Sequence, residues 1–203
     1  MYGQSEISQI DCIDEIYMDL FGYKEDGFFI EFGAGDGHSY SNTSCLADLG
    51  WTGHYIEPLD ELYQLCVNRH SKNKNVKCHN FAISDENGES KLYSHGFFSS
   101  LYKNFDKDEL DGIVNVPTMT LDHFLTLQGV KPFFDILSTD TDGKDWDIFS
   151  VFDIRKWSPR CVIVEVDAKR SARFYSYFIS NGYSQIFHDP DSFNNVYILD
   201  SCI

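Results

Sequence analysis

The chain has 203 residues, 42% hydrophobic and 16% aromatic, enough for one domain with a sizeable core and far from the make-up of a disordered chain. Its 32 acidic against 16 basic side chains give a formal charge of -16, the wrong balance for a phosphate backbone or an anionic membrane surface. The expectation is therefore no nucleic acid partner, no membrane insertion, and a small or neutral ligand.

The N-terminus, Met1-Tyr-Gly-Gln-Ser-Glu, lacks the basic start and apolar run of a signal peptide, and no apolar stretch nears the ~20 residues that cross a bilayer. None of Cys12, Cys45, Cys66, Cys78, Cys161 and Cys202 forms a CxxC pair, which reads as reduced thiols and a cytoplasmic protein. Helical periodicity begins so near residue 1 that the chain also suits a segment of a longer, multidomain glycan-modifying protein.

Ile10, Ile13, Ile16 and Leu20 recur at helical spacing and predict a first amphipathic helix. The run 27–33 is short, apolar and ends in glycine, as a buried strand does. Capping residues at 41–43 open a helix to 49, residues 53–58 form a second strand, and 59–68 a second helix. A third strand spans 76–84, before the turn Asp85-Glu-Asn-Gly88. The middle, 91–116, is less regular. A short helix over 120–127 precedes a fourth strand at 133–139; a helix over 146–152 precedes a fifth at 161–166. After a helix at 174–180, strands 183–188 and 196–199 pair as a closing hairpin. Strands alternating with helices predict one α/β domain over residues 1–203, with a mostly parallel sheet covered by helices on both faces and an antiparallel edge hairpin.

In such a sheet ligands bind beyond the carboxyl ends of the strands. The first strand runs into Glu31-Phe-Gly-Ala-Gly-Asp-Gly37, whose glycines let the backbone turn and approach a ligand. A dinucleotide fingerprint wants a third glycine where His38 stands, and a P-loop wants a Gly-Lys-Ser/Thr ending that is missing. The acids Glu31 and Asp36 repel a pyrophosphate and suit a cofactor with a positive sulfonium, an amino group and no phosphate. Glu57, before Pro58, ends the second strand where a carboxylate accepts from ribose hydroxyls. Ala82, Ile83 and Ser84 offer small and apolar groups for one face of an adenine.

Asp140 ends the fourth strand and is followed by Asp142 and Asp145; Glu165 and Asp167 end the fifth. Carboxylates from neighbouring strand ends converge on one cleft, where Asp140 or Asp142 takes the proton of an attacking hydroxyl, or Asp140, Glu165 and Asp167 hold a divalent cation such as Mg²⁺ or Mn²⁺. Asp145 reads as a cap of the next helix. His38 and His95 lie in loops near the expected cleft as further candidates for a base.

These elements resemble, in order, the FkbM-type S-adenosylmethionine-dependent methyltransferases. Glu31-Phe-Gly-Ala-Gly-Asp-Gly is similar to the first family motif, and Ser41-Asn-Thr43 to its Ser-Asn-Thr signature. Gly50-Trp-Thr-Gly53 with Ile56-Glu-Pro58 resembles the Gly-Trp-x-Gly…Ile-Glu-Pro block. Asn68-Arg69, Ser99-Ser-Leu101, Thr120-Leu-Asp122, Leu137-Ser-Thr-Asp-Thr-Asp-Gly143, Gly182-Tyr and Asn195-Val-Tyr197 continue the pattern. The resemblance implies a Rossmann-like class I methyltransferase fold with a seven-stranded sheet. It implies S-adenosyl-L-methionine held by Glu31, Gly33, Gly35 and Glu57, with Asp140 at the reaction centre; the residues beside them extend the expected cofactor set to Ala34, Asp36, Ser41, Asn42, Thr43, Pro58, Ala82, Ile83, Ser84 and Asp140, and the expected catalytic set to Asp142 and His38. It also implies O-methylation of a hydroxyl on a sugar or other small metabolite; Phe97, Phe98 and Tyr102 in the irregular middle, as stacking faces, point to a sugar or glycan hydroxyl. Ser138 stands where the family has Lys, and Asp142 where it has Glu. Transfer to nitrogen or to a non-sugar metabolite, and a cofactor-binding module without catalysis, stay open as alternatives.

Overall fold

The run Phe28-Phe-Ile-Glu-Phe32 forms the middle of the main sheet because a strand flanked by parallel neighbours is buried on both faces and needs apolar side chains on both. The computed structural model describes residues 8–103, 110–166, 169–189 and 193–202. Its elements are α1 (Ile13–Phe21), β1 (Phe28–Phe32), α2 (Ser44–Asp48), β2 (Thr52–Ile56), α3 (Asp60–His70), β3 (Val76–His79), β4 (Ala82–Ser84), β5 (Gly88–Ser94), β6 (Gly112–Thr120), α4 (Leu121–Leu127), β7 (Ile136–Thr139), α5 (Asp145–Val151), α6 (Ile154–Trp157), β8 (Cys161–Glu165), α7 (Ser171–Ser180), β9 (Tyr183–His188) and β10 (Asn194–Leu199).

The seven-stranded sheet has the order β3-β2-β1-β7-β8-β10-β9. Strands β3 to β8 in that order are parallel, and β10 runs antiparallel between β8 and β9. This is the Rossmann-like class I methyltransferase fold that the sequence implies, closing hairpin included. Strand order reverses at β1 and β7, and their carboxyl ends make the crevice where ligands of such sheets bind.

Side chains of one strand alternate between two apolar layers. Ile30, Phe32, Leu137, Val162 and Val164 face a layer with Phe124, Phe149 and Phe178, while Phe29, Ile136 and Ile163 face one with Tyr17, Leu46 and Trp51. Trp51 and Phe29 explain two glycines of this layer: a Cβ on Gly27 would stand 2.1 Å from the Trp51 ring, and one on Gly53 2.1 Å from the ring of Phe29. Thr120 caps α4, and Asp122 accepts from Trp157 Nε1 at 2.7 Å and from the Asp153 N–H at 3.0 Å, tying α4 to α6. Among the described residues no helix is long and apolar enough to cross a membrane.

Two expectations need correction. The third strand does not run on to Ser84: β3 ends at His79, and after Asn80-Phe81 the chain enters a separate three-stranded sheet, β4-β6-β5. The middle expected to be irregular supplies the rest of that sheet, β5 and β6 pairing antiparallel from Gly88↔Thr118 to Ser94↔Gly112. This small sheet stands beside the carboxyl ends of the main one and carries the loop 95–101 over the crevice.

Candidate functional site

Glu31 sits on β1 beneath the entry to α2, and the Ser-Asn-Thr signature exists to satisfy it. Ser41 Oγ donates to its carboxylate at 2.7 Å, Thr43 Oγ1 at 2.5 Å and the Asn42 N–H at 3.1 Å. Burial pushes Glu31 up to about 7 against the pull of these donors. The group ties the glycine loop to α2.

Glu57 receives the Gly35 N–H at 2.9 Å on one oxygen and the Leu59 N–H at 2.8 Å on the other. Each carboxylate oxygen keeps a second lone pair, so the group can still accept from a ligand. Burial pushes it up to about 7, with Asp140 adding a smaller rise. Gly33 has φ +72°, and a Cβ there would lie 1.5 Å from the Asp140 carbonyl oxygen. Only glycine lets the loop after β1 pass so close to the end of β7.

Two openings meet over these residues. The first, about 530 Å³, is lined by Glu57 and Pro58 on one side and by Leu62, Ala82, Ile83 and Leu101 on the other. The second, about 750 Å³, is lined by Glu31, Ala34, Ser41, Tyr40 and Phe98. Gly33, Phe97, Asp140 and Asp142 belong to both. A flat apolar ring beside Ile83, a ribose at Glu57 and a positive tail toward Glu31 match this lining, and among the described residues no Lys or Arg lines either opening to hold a phosphate. The residues fit S-adenosylmethionine.

Beyond Asp140 the carboxylates crowd. Oxygens of Asp140, Asp142 and Glu165 all lie within 4.8 Å of one another. Gln9 Nε2 donates to Asp140 at 2.5 Å, and Gln9 Oε1 accepts from Asn42 at 3.1 Å. Burial pushes Asp142 up to about 8, and burial with hydrogen bonding to Asp140 pushes Glu165 up to about 10. Asp142 has φ +51°, a strained conformation that Asp tolerates better than most residues, and its carbonyl accepts from Ser100 Oγ at 3.0 Å. Buried Asp145 accepts from Thr141 Oγ1 at 2.7 Å and braces this turn; it does not cap α5 as expected, because it is the first residue of that helix and its carboxylate turns back to Thr141.

The structure does not bring every expected residue here. Asp36 turns inward to accept from the N–H groups of His38 and Ser39 at 2.9 and 2.7 Å. His38 lines neither opening, its ring 3.3 Å from Ser44 Oγ on α2. His95 lines neither, and Ser84 is buried, donating to Asp85 at 3.0 Å. Thr43 reaches the site through Glu31, and Asn42 through Glu31 and Gln9. Tyr102 hydrogen-bonds Asp147 and lies against Lys144, away from both openings. Asp167 falls outside the described residues, and Asp142 completes the carboxylate trio with Asp140 and Glu165. Sequence reasoning missed Gln9, which no local pattern marks, and Leu92 on β5, which lines the first opening, because the second sheet was missed.

Comparison with known proteins agrees with this geometry. Residues 31–185 match the model of the methyltransferase FkbM domain. The METTL16 methyltransferase domain has a similar structure, with a TM-score of 0.54, 13% identity, and coverage of 92% of this chain and 65% of that one. The fibrillarin pre-rRNA processing protein of Methanococcus jannaschii follows at 0.51, with 10% identity and coverage of 87% and 68%. Protein PH1948 of Pyrococcus horikoshii matches at 0.51, with 11% identity and coverage of 92% and 79%. At these identities the likeness shows the fold alone. No curated protein matches the sequence. With the domain match running from Glu31 through β9, the chain belongs to the FkbM family of S-adenosylmethionine-dependent methyltransferases.

Proposed function

We propose that the chain is a single-domain O-methyltransferase acting on a hydroxyl of a sugar or glycan. The observation that carries this reading is the junction at Asp140, where the cofactor-shaped opening meets a second one with exposed aromatic rings at its rim. Phe97 and Phe98 stand there as faces for the C–H side of a sugar ring, and the charge of -16 favours an uncharged acceptor over RNA.

Bound S-adenosylmethionine supplies a methyl group on a positively charged sulfur. The protein's own residues do the rest. Glu57 accepts from ribose hydroxyls, Ile83 and Ala82 cover the adenine, and Glu31, by fixing Ser41 and the glycine loop, sets the direction of the tail. Asp140, held by Gln9, takes the acceptor's hydroxyl proton as the oxygen attacks. Hydroxyls are poor nucleophiles until that proton leaves, so a positioned base is the main demand of the reaction.

A second arrangement of the same site has one specific observation in its favour. The oxygens of Asp140, Asp142 and Glu165 lie within 4.8 Å of one another, near the roughly 4.2 Å between opposite oxygens on one Mg²⁺, and all are hard donors. A cation there would lower the pKa of a bound hydroxyl. Full turnover after exhaustive chelation, with no stimulation by Mg²⁺ or Mn²⁺, removes it from the mechanism.

The test is incubation with methyl-labelled S-adenosylmethionine and three acceptor groups: glycosides, amine-bearing metabolites and structured RNA. The expected product is a sugar methyl ether. Turnover confined to nitrogen or to RNA overturns the reading. Asp140→Asn should lower turnover about 100-fold or more while S-adenosylhomocysteine affinity stays within a few-fold; a variant rate close to wild type removes Asp140 as the base.

A further inference from the structure

The tail of S-adenosylmethionine carries an ammonium and a carboxylate, and the second opening serves the two unequally. Its wall holds Glu31, Asp140, Asp142 and Glu165 and, among the described residues, no Lys or Arg. The ammonium finds several acceptors there. The carboxylate meets groups of its own kind and needs neutral N–H or O–H donors to replace water.

Most donors on this wall are already committed. The Gly33 and Ala34 N–H groups donate to the Ile56 carbonyl at 3.1 and 3.2 Å, and the Gly35 N–H donates to Glu57 at 2.9 Å. The Ser39 N–H donates to Asp36 at 2.7 Å, and the Ser41 N–H to the His38 carbonyl at 3.2 Å. A hydroxyl has one proton, and those of Ser39 and Ser41 go to Asp36 at 2.9 Å and to Glu31 at 2.7 Å. The Tyr40 ring stands at the rim, 62% exposed. Gln9 differs from all of these. Its primary amide carries two N–H groups, so beyond the bond to Asp140 at 2.5 Å it keeps a second one on the lining of the opening.

A directed chain of hydrogen bonds orients that amide. The Ile10 N–H donates to Ser8 Oγ at 3.2 Å, which leaves the Ser8 proton for Asn42 Oδ1 at 2.8 Å. Asn42 then presents Nδ2 to Gln9 Oε1 at 3.1 Å, and Gln9 turns Nε2 toward Asp140. The segment is anchored by the fully buried Ile10 and by a bridge between Ser8 and Tyr40. It precedes residues 31–185, so Gln9 is supplied from outside the matched domain stretch.

We propose that Gln9 is a ligand of the cofactor's carboxylate, its amide giving one N–H to that group and one to Asp140. A neutral amide can stand between two carboxylates because it donates to both. The inference rests on the cofactor assignment and is independent of the sugar reading, since it concerns the tail of the cofactor and not the acceptor.

The test is calorimetry on wild type, Gln9→Ala and Gln9→Glu with three ligands. These are S-adenosylhomocysteine, its decarboxylated form, and methylthioadenosine, which lacks the whole amino acid. Wild type should bind the decarboxylated form about tenfold more weakly than S-adenosylhomocysteine, the scale of a lost hydrogen bond to a charged group. Gln9→Ala should weaken S-adenosylhomocysteine about tenfold and leave the other two ligands within about twofold of wild type. Gln9→Glu keeps the shape but brings a carboxylate against the ligand's own, so it should prefer the decarboxylated form. Equal wild-type affinity for S-adenosylhomocysteine and its decarboxylated form overturns the proposal whether or not either variant folds. So does a Gln9→Ala chain that loses affinity for all three ligands alike, the mark of a structural role. If none of the three binds wild type, the cofactor assignment itself falls and takes this proposal with it.

Discussion

Glu31 and Glu57 are both buried carboxylates, yet they spend their hydrogen bonds differently. Glu31 is surrounded by three donors from the segment that follows it, whereas Glu57 takes two backbone N–H groups and keeps acceptor capacity toward the opening. Glu57→Ala should therefore weaken S-adenosylhomocysteine binding about tenfold to a hundredfold by calorimetry, beyond the stability lost when the buried Gly35 and Leu59 N–H groups lose their acceptor. Glu31→Ala should mainly destabilise the fold, by about 1–3 kcal/mol, because Ser41 and Thr43 lose their buried acceptor. Both folded-state values stand at about 7, above the ordinary 4.5 of an unfolded Glu. The sign follows. Each proton-bearing form stabilises the fold below pH 4.5, and that stability is lost as pH rises through about 7, costing up to ~3 kcal/mol per group. Ligand affinity runs the opposite way, since an ionised Glu57 accepts better from ribose hydroxyls. Affinity for S-adenosylhomocysteine should rise severalfold from pH 6 to pH 8, and a flat profile would detach Glu57 from the ribose.

At the level of elements, several motifs prove to be packing devices. Gly50-Trp-Thr-Gly53 seats Trp51 between Gly27 and Phe21, and its Nε1 donates to the Lys24 carbonyl at 3.0 Å. Trp51→Ala should cost about 3–5 kcal/mol in chemical denaturation. Asn68-Arg69 acts through Arg69, which bridges to Asp48 on α2 at 2.7 Å. His54 on β2 and His79 on β3 stack at 5.1 Å, and burial, with Lys77 nearby, holds both down to about 4. An unfolded His takes up its proton near pH 6.5, so this pair contributes stability above 6.5 that is lost as pH falls toward 4. Wild type should lose more stability between pH 7 and pH 5 than the double variant His54→Phe, His79→Phe; equal losses would contradict the buried neutral pair.

The main sheet was legible because its central strands are apolar on both faces. The second sheet was not. The segment 112–120 is largely solvent-facing, so its strand has no apolar alternation to read, and the run Phe81-Ala-Ile-Ser84 looks the same whether it pairs with β2 or with β6. The site was legible where backbone geometry demands a residue type, as at Gly33, or where an acid ends a strand, as at Glu57 and Asp140. It was not legible where one side chain crosses a long sequence gap, as Gln9 does to reach Asp140.

For the whole molecule, the glycine loop, Glu57 and the carboxylates come from different stretches of sequence and share one crevice only because strand order reverses between β1 and β7. The two openings over Glu57 and Glu31 meet at Gly33, Asp140 and Asp142. The central claim is that one crevice, from Glu57 to Asp140, holds the nucleoside and the reacting oxygen together. A crystal structure of the chain with S-adenosylhomocysteine tests it most directly. The account predicts ribose hydroxyls within hydrogen-bond distance of Glu57 and the sulfur over the glycine loop facing Asp140; a nucleoside bound elsewhere, or a sulfur turned away from the carboxylates, would contradict it.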